Sequence, residues 1–458
     1  MIRPSHIAIR LPVVVLAACA FLLGGTQIAS ALPSFARQTG LSCEACHTEF
    51  PILTDFGRNF KLGGYTLSTG QTNLPPLAVF LQPSFTQTNT DQVGGAAPHF
   101  GPNSNVAITQ ASFFYSGRLF GPYTDLLLGS NPVATFLDKF GIFSQATIDG
   151  VARQFHWDNT ELVYADSGQI FQHPITYGIF ATNNPGMEDP WNSTPVWTFP
   201  FSASGLAPGP DAGTLVEGGL AQQVGGLGAY AMISNSIYLD FAGYHTLDYK
   251  FQRAMGISPD GQSQIPDIAP YWRAAYTGAK GNSSWEVGTF GLYANTYPGR
   301  VNSAGQDHTL DLGLDGEYQT SFGKNDVTGV ASIVRELDDF NASQPLGNSD
   351  NKADDLWSLR LNADYLYDKT YGFDAAYFLV NGRRDYALYS ASANGSPANN
   401  GFILELVWLP WNKSGGPAFW PKSNVKFSLQ YVIYNQIDGT QAHASDSNTV
   451  YLETWIAF

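Results

Sequence analysis

Three stretches of the chain alternate strictly between apolar and polar residues. Leu310 to Tyr318 sets leucines against acids and glycine, Trp357 to Tyr365 alternates throughout, and so does Val425 to Tyr431. A period of two puts the apolar set on one face of a strand and the polar set on the other. Amphipathic helices do not carry that pattern, so the chain reads as all-β. Strand cores are expected at 78–88, 105–118, 139–147, 155–165, 172–183, 225–234, 236–246, 269–279, 283–295, 307–321, 324–337, 354–367, 370–381, 401–410, 424–436 and 448–458. That is about sixteen, an even number as in a bacterial single-chain barrel. The stretch 119–138 is ambiguous and leaves fourteen or eighteen open.

Two-faced strands fit a sandwich with one wet face or a membrane barrel with a lipid face and a polar lumen. Three features choose the transmembrane antiparallel barrel. Aromatic residues gather at strand ends (Tyr271 and Trp272, Trp357, Trp408 and Trp411, Tyr431 and Tyr434), as interfacial girdles do. Tight turns near Asn235, 280–283, 322–324 and 368–370 alternate with long polar loops at 88–104, 183–215, 247–267, 338–353 and 381–400. The last strand ends on Phe458, as in the assembly signal of outer-membrane proteins. Composition agrees. Only 13% of residues are charged, against about a quarter in soluble domains. The 38 acids outnumber the 23 Lys and Arg, which excludes nucleic acid as a partner, since phosphate contacts need clustered bases.

The first residues read as an export signal. Arg3, His6 and Arg10 precede an apolar run from Leu11 to Leu23, and Ala29-Ser30-Ala31 offers a cleavage site after Ala31. Leu16 to Cys19 resembles a lipobox, but the apolar run continues past Cys19. The run is too short to span a membrane. The mature chain is therefore expected in the bacterial outer membrane, in contact with its lipid.

With Cys19 removed, only Cys43 and Cys46 remain. They stand in Cys43-Glu44-Ala45-Cys46-His47, the C-x-x-C-H signature of covalent haem c. Two thiols three residues apart reach the two vinyl groups of one porphyrin, and the following His47 is carried under the ring as an iron ligand. A zinc site needs about four ligands, and no second cysteine pair exists. The sixth iron ligand is open among Met187, Met232, Met255, His99, His156, His173, His245, His308 and His443. Arg37 is the expected partner of a haem propionate, since Arg forks match carboxylates. Arg58 and Lys61 are weighed for the same role and read as solvated surface charges.

The chain thus divides into a signal peptide (1–31), a monohaem cytochrome c-like segment (32–76) and a porin-like barrel (77–458). Forty-five residues cannot build much of a core, so the haem segment is expected inside the barrel or across its periplasmic mouth. Pro51 to Phe60 reads as a short helix with Ile52, Leu53, Phe56 and Phe60 along one side, ended by Gly63-Gly64.

The run Pro33 to Gly40, continuing into Cys43–His47 and on to Phe56-Gly57-Arg58-Asn59-Phe60-Lys61, resembles the N-terminus of the fused cytochrome–porin family. In that family a monohaem c-type segment precedes an outer-membrane barrel, and its best-known members oxidise ferrous iron outside the cell. The motif match covers about residues 33–64. The resemblance implies an electron-transfer protein or oxidoreductase, with Fe²⁺ as extracellular donor and a periplasmic c-type cytochrome as acceptor. No iron-binding motif is visible, although Asp338, Asp339, Asp350, Asp354 and Asp355 crowd one expected outer loop. Those acids either concentrate cations or simply keep the loop soluble. A diffusion porin with a structural haem plug and a haem enzyme acting on a small substrate are the alternatives. No Ser-His-Asp, nucleotide-binding or second-metal constellation stands out in the sequence.

Overall fold

The computed structural model describes residues 32–49, 52–69, 74–196 and 201–458. The expected signal peptide lies outside them. The described residues form sixteen strands: β1 (Leu77–Thr88), β2 (Asn105–Arg118), β3 (Phe140–Asp149), β4 (Gln154–Ile170), β5 (His173–Thr182), β6 (Val224–Ile233), β7 (Ile237–Thr246), β8 (Ala269–Lys280), β9 (Ser283–Thr296), β10 (Asp307–Phe322), β11 (Asn325–Asp339), β12 (Ala353–Tyr367), β13 (Tyr371–Gly382), β14 (Asn399–Trp408), β15 (Asn424–Gln436) and β16 (Thr449–Ala457). Each pairs antiparallel with the next, and β1 pairs with β16, closing the barrel. Closure leaves no edge with unpaired backbone groups.

In the strictly alternating stretches burial is inverted relative to a soluble protein. Along β10, Leu312, Leu314 and Tyr318 face outward and are about half exposed, while Asp311, Asp315 and Glu317 face inward and are buried. The period-two pattern therefore places apolar residues on the outer surface and acids on the lumen wall. Outward Trp357, Tyr365, Tyr367, Tyr371 and Trp408 sit near strand ends as expected of a girdle. Tyr271 and Tyr434 are corrections to that expectation: both are buried and face the lumen. One end of the barrel carries five tight turns together with two longer connections, 119–139 and 409–423. Ser234-Asn235 and Asp368-Lys369 both take positive φ, as two-residue hairpins matched to strand twist require. The other end carries long connections except at 150–153.

Three helices precede the barrel: α1 (Pro33–Thr39), α2 (Cys43–Cys46) and α3 (Asp55–Leu62). The ambiguous stretch 119–138 forms two more short helices, α4 (Tyr123–Leu128) and α5 (Pro132–Leu137), the latter capped by Asn131. The helix expected from residue 51 starts at Asp55. Thr54 caps it by accepting from the Gly57 amide, and Leu53 pairs instead with His47. Phe56 consequently points away from the packed side and is partly exposed.

Two loop expectations also change. The 183–215 stretch folds into the barrel rather than out of it. Leu215 N donates to Glu336 (2.5 Å), Val216 N to Asp311 (2.7 Å), and Arg360 pairs with Glu217 (3.1 Å). The acids read as one outer loop lie mostly on strands: Asp338 and Asp339 close β11, Asp354 and Asp355 open β12, and Asp338 stands opposite Asp354.

Candidate functional site

α2 is a single helical turn that brings Cys43 and Cys46 onto one face, since residues three apart on a helix are neighbours. Both are buried and they do not form a disulfide. Burial pushes the Cys46 thiol up to about 12. His47 leaves the helix in an extended conformation, and its amide donates back to Cys43 O (2.9 Å). The chain then returns tightly: Thr48 N donates to Ile52 O (3.1 Å), Thr54 N to Cys46 O (2.9 Å) and Thr54 Oγ1 to Ala45 O (2.6 Å). α3 starts directly against this loop. A Cβ at Gly57 would stand 2.2 Å from Cys46 O, so only glycine permits the approach.

Cys46 and His47 open onto a cavity of about 1040 Å³ in the lumen. That is at the upper end of the roughly 300–1,000 Å³ of cofactor sites. Phe35, Phe60, Phe80, Phe114 and Trp455 line its apolar part, and Lys61, Arg153, Asp149, Asp158 and Glu453 are charged residues on the lining. Of the nine candidates for a second axial ligand, Met187 and His99 line this cavity. His99 is exposed on the 89–104 loop, whereas Met187 is buried and its Sδ accepts from Thr182 Oγ1 (3.5 Å). A thiol, an imidazole and a thioether border this cavity, and the second thiol, Cys43, is buried beside Cys46 on α2; His and Met are an axial pair used by c-type haems. The residues present fit the group.

Arg37 lies elsewhere. Its guanidinium donates to Leu77 O and faces a separate small cavity beside Arg118. Arg58 and Lys61, read from sequence as surface charges, are both buried. Arg58 pairs with Glu317 of β10 and with Asp55, and donates to Ser284 Oγ of β9 (2.9 Å). Lys61 donates to Asp189 O (2.6 Å) and Asn192 Oδ1 (2.8 Å) of the inward loop. Desolvation lowers its pKa, against the pull of nearby carboxylates. It is the charged side chain of the helical segment on the cavity lining.

The segment is thereby held on several sides of the lumen. Phe35 packs edge-on to Phe60 (5.0 Å between ring centres) and stacks on Tyr65 (5.4 Å), and Tyr65 reaches Phe143 of β3. Tyr65 OH donates to Glu161 of β4 (2.8 Å), and Tyr230 OH of β6 donates to Leu62 O (2.6 Å). Across the lumen, Lys426 of β15 pairs with Glu49 (2.8 Å).

No family model matches the chain, and no curated protein matches it. Among solved structures it is similar to OmpF of Salmonella typhi, in a complex with daunomycin (TM-score 0.44, 12% identity, 83% of this chain and 97% of that one). It is likewise similar to an anion-selective porin from Comamonas acidovorans (TM-score 0.45, 10% identity, 83% and 98%). A third is the outer-membrane OmpT of Vibrio cholerae (TM-score 0.39, 9% identity, 83% and 97%).

Proposed function

We propose that this protein is an outer-membrane electron conduit: a sixteen-strand barrel whose lumen holds one covalent c-type haem. The apolar outer surface suits lipid, and the period-two strands with tight turns at one end suit the bacterial outer membrane. The observation that carries the reading is that Cys46, His47 and Met187 border one cavity inside a closed barrel. Cys43 and Cys46 would hold the ring, His47 would bind iron, Met187 would complete the coordination, and Lys61 would pair with a propionate. A bound haem supplies one-electron ferric–ferrous chemistry. The protein's own part is to set the site's polarity and its separation from water, both of which tune a haem potential.

An apolar membrane core about 30 Å thick separates extracellular donors from periplasmic carriers. A redox group in the lumen shortens that gap while an insoluble product stays outside. Fe²⁺ is the favoured donor and a periplasmic c-type cytochrome the favoured acceptor. Because both thiols are buried in the docked segment, haem attachment belongs before docking.

Fe²⁺ added to purified, haem-loaded protein should reduce the haem, followed by absorbance. Reduction by dithionite alone would leave a haem-bearing barrel with another donor. The second reading, a diffusion porin with a structural plug, draws on the barrel size, since sixteen-strand porins leave an aqueous channel. Solute flux in liposomes that is unchanged by removing residues 32–69 would favour it.

A further inference from the structure

Two residues beyond His47, Glu49 enters the lumen wall at a row of carboxylates. Asp364 of β12 stands directly opposite Asp374 of β13, and Asp374 directly opposite Glu405 of β14. Carboxylates in such register lie about 5 Å apart, and like charges placed directly opposite are destabilising. Glu49 joins them from the segment side, where Gly372 leaves the room: a Cβ there would come within 2.8 Å of Glu49 Oε2. One oxygen each of Glu49, Asp374 and Glu405 lie within 4.8 Å of one another. Oxygens about 2.3–2.6 Å from one Ca²⁺-sized ion lie up to about 5 Å apart, so a single ion can touch all three.

The available protein cation does not match this charge. Lys426 takes Glu49 Oε1 (2.8 Å) and Glu405 Oε1 (3.1 Å). One ammonium thus faces four buried carboxyls. A separate observation points the same way. Asp364, outside the three-oxygen group, is buried with no hydrogen bond to either carboxyl oxygen, and Asp374 is in the same condition. Buried charges are paired or coordinate metals.

We infer that Glu49, Asp374 and Glu405, backed by Asp364, form a site for one hard divalent cation that ties the haem-motif segment to the β13–β14 wall. All-oxygen donors select Mg²⁺, Ca²⁺, Mn²⁺ or Fe²⁺ over softer metals. Lys426 flanks the ion on the side it already occupies. The site does not depend on the haem.

The test uses full-length, haem-loaded protein stripped with a chelator and titrated with Mn²⁺ by electron paramagnetic resonance. One saturable site is expected, with roughly tenfold or greater weakening in Asp374→Asn and in Glu405→Gln. Retained heat-modifiable migration on gels establishes that each variant still forms the barrel. If one variant does not fold, Asp364→Asn carries the same expectation. Competition by Ca²⁺ but not Fe²⁺ would identify a structural ion, and competition by Fe²⁺ a site that also seats the donor metal. Absence of a saturable site, or equal affinity in wild type and folded variants, would overturn the inference. Haem reduction is measured separately, so the two proposals fail independently.

Discussion

The lumen wall meets the helical segment in two different ways. Along β1 to β5 and β16 the wall carries Phe80, Phe114, Phe143, Val163, Phe180 and Trp455, in one apolar cluster with Phe35, Phe60 and Tyr65. Along β10 to β15 it carries Glu317, Asp364, Asp374, Glu405 and Lys426, where Arg58 pairs with Glu317 and Glu49 with Lys426. Apolar contact is non-directional and scales with area, so the first side supplies adhesion with tolerance. Buried charge pairs contribute little net stability but are costly to break, so the second side sets position. A segment too small to make its own core is placed by the acidic half and held by the aromatic half.

Replacing Cys43 and Cys46 together with Ser should have the largest effect. Haem that survives a denaturing gel is lost, whichever side dominates docking. A haem-stained band retained in that double variant would remove covalent attachment through these thiols from the account. Next comes Arg58→Ala, which leaves Glu317 buried without its partner. Breaking such a pair costs about 3–5 kcal/mol, expected as faster hydrogen exchange of α3 amides, with Glu317→Gln in the same chain restoring part of the loss.

Gly57→Ala should be intermediate. Its methyl would collide with Cys46 O, and overpacking costs about 1–3 kcal/mol; a lower haem yield would report the displaced α2–α3 contact. Phe60→Leu keeps most of the volume and should cost less than about 1.5 kcal/mol. The comparison breaks if thermal loss of the haem band shows Phe60→Leu to be worse than Arg58→Ala.

The most local effect is a pH dependence in the inward loop. Burial pushes Glu188 up to about 7 from its ordinary value near 4.5. Between those values the folded loop holds a proton that the undocked loop releases. Docking is therefore strongest below about pH 4.5 and weakens as pH rises through about 7. Proteolysis between β5 and β6 should increase over that window, and Glu188→Gln should flatten the response.

Much of the wall was legible because strand periodicity is local. Each expected core overlaps an observed strand, and the Asp315–Glu317 face could be read inward from Leu312 and Leu314. The C-x-x-C-H run was legible for the same reason: its chemistry is contained in five consecutive residues. What surrounds it was not. Arg58 and Lys61 look solvated in a short amphipathic helix, and only the enclosing barrel buries them. Met187 sits in a stretch whose Asn, Gly and Pro content reads as an outer loop. Trp191, Val216 and Leu220 in and after that stretch were the available sign that it turns inward. Tyr271 and Tyr434 carry the same local signal as girdle residues, because strand position alone does not say which face packs against an inward loop.

The most direct measurement places the protein in liposomes with ferric cytochrome c inside and an impermeant ferrous chelate outside. Haem-loaded protein should reduce the enclosed cytochrome, and the Cys43→Ser, Cys46→Ser double variant, lacking haem, should not. Equal rates in both, or no reduction with fully haem-loaded barrels, would contradict an electron path through the lumen.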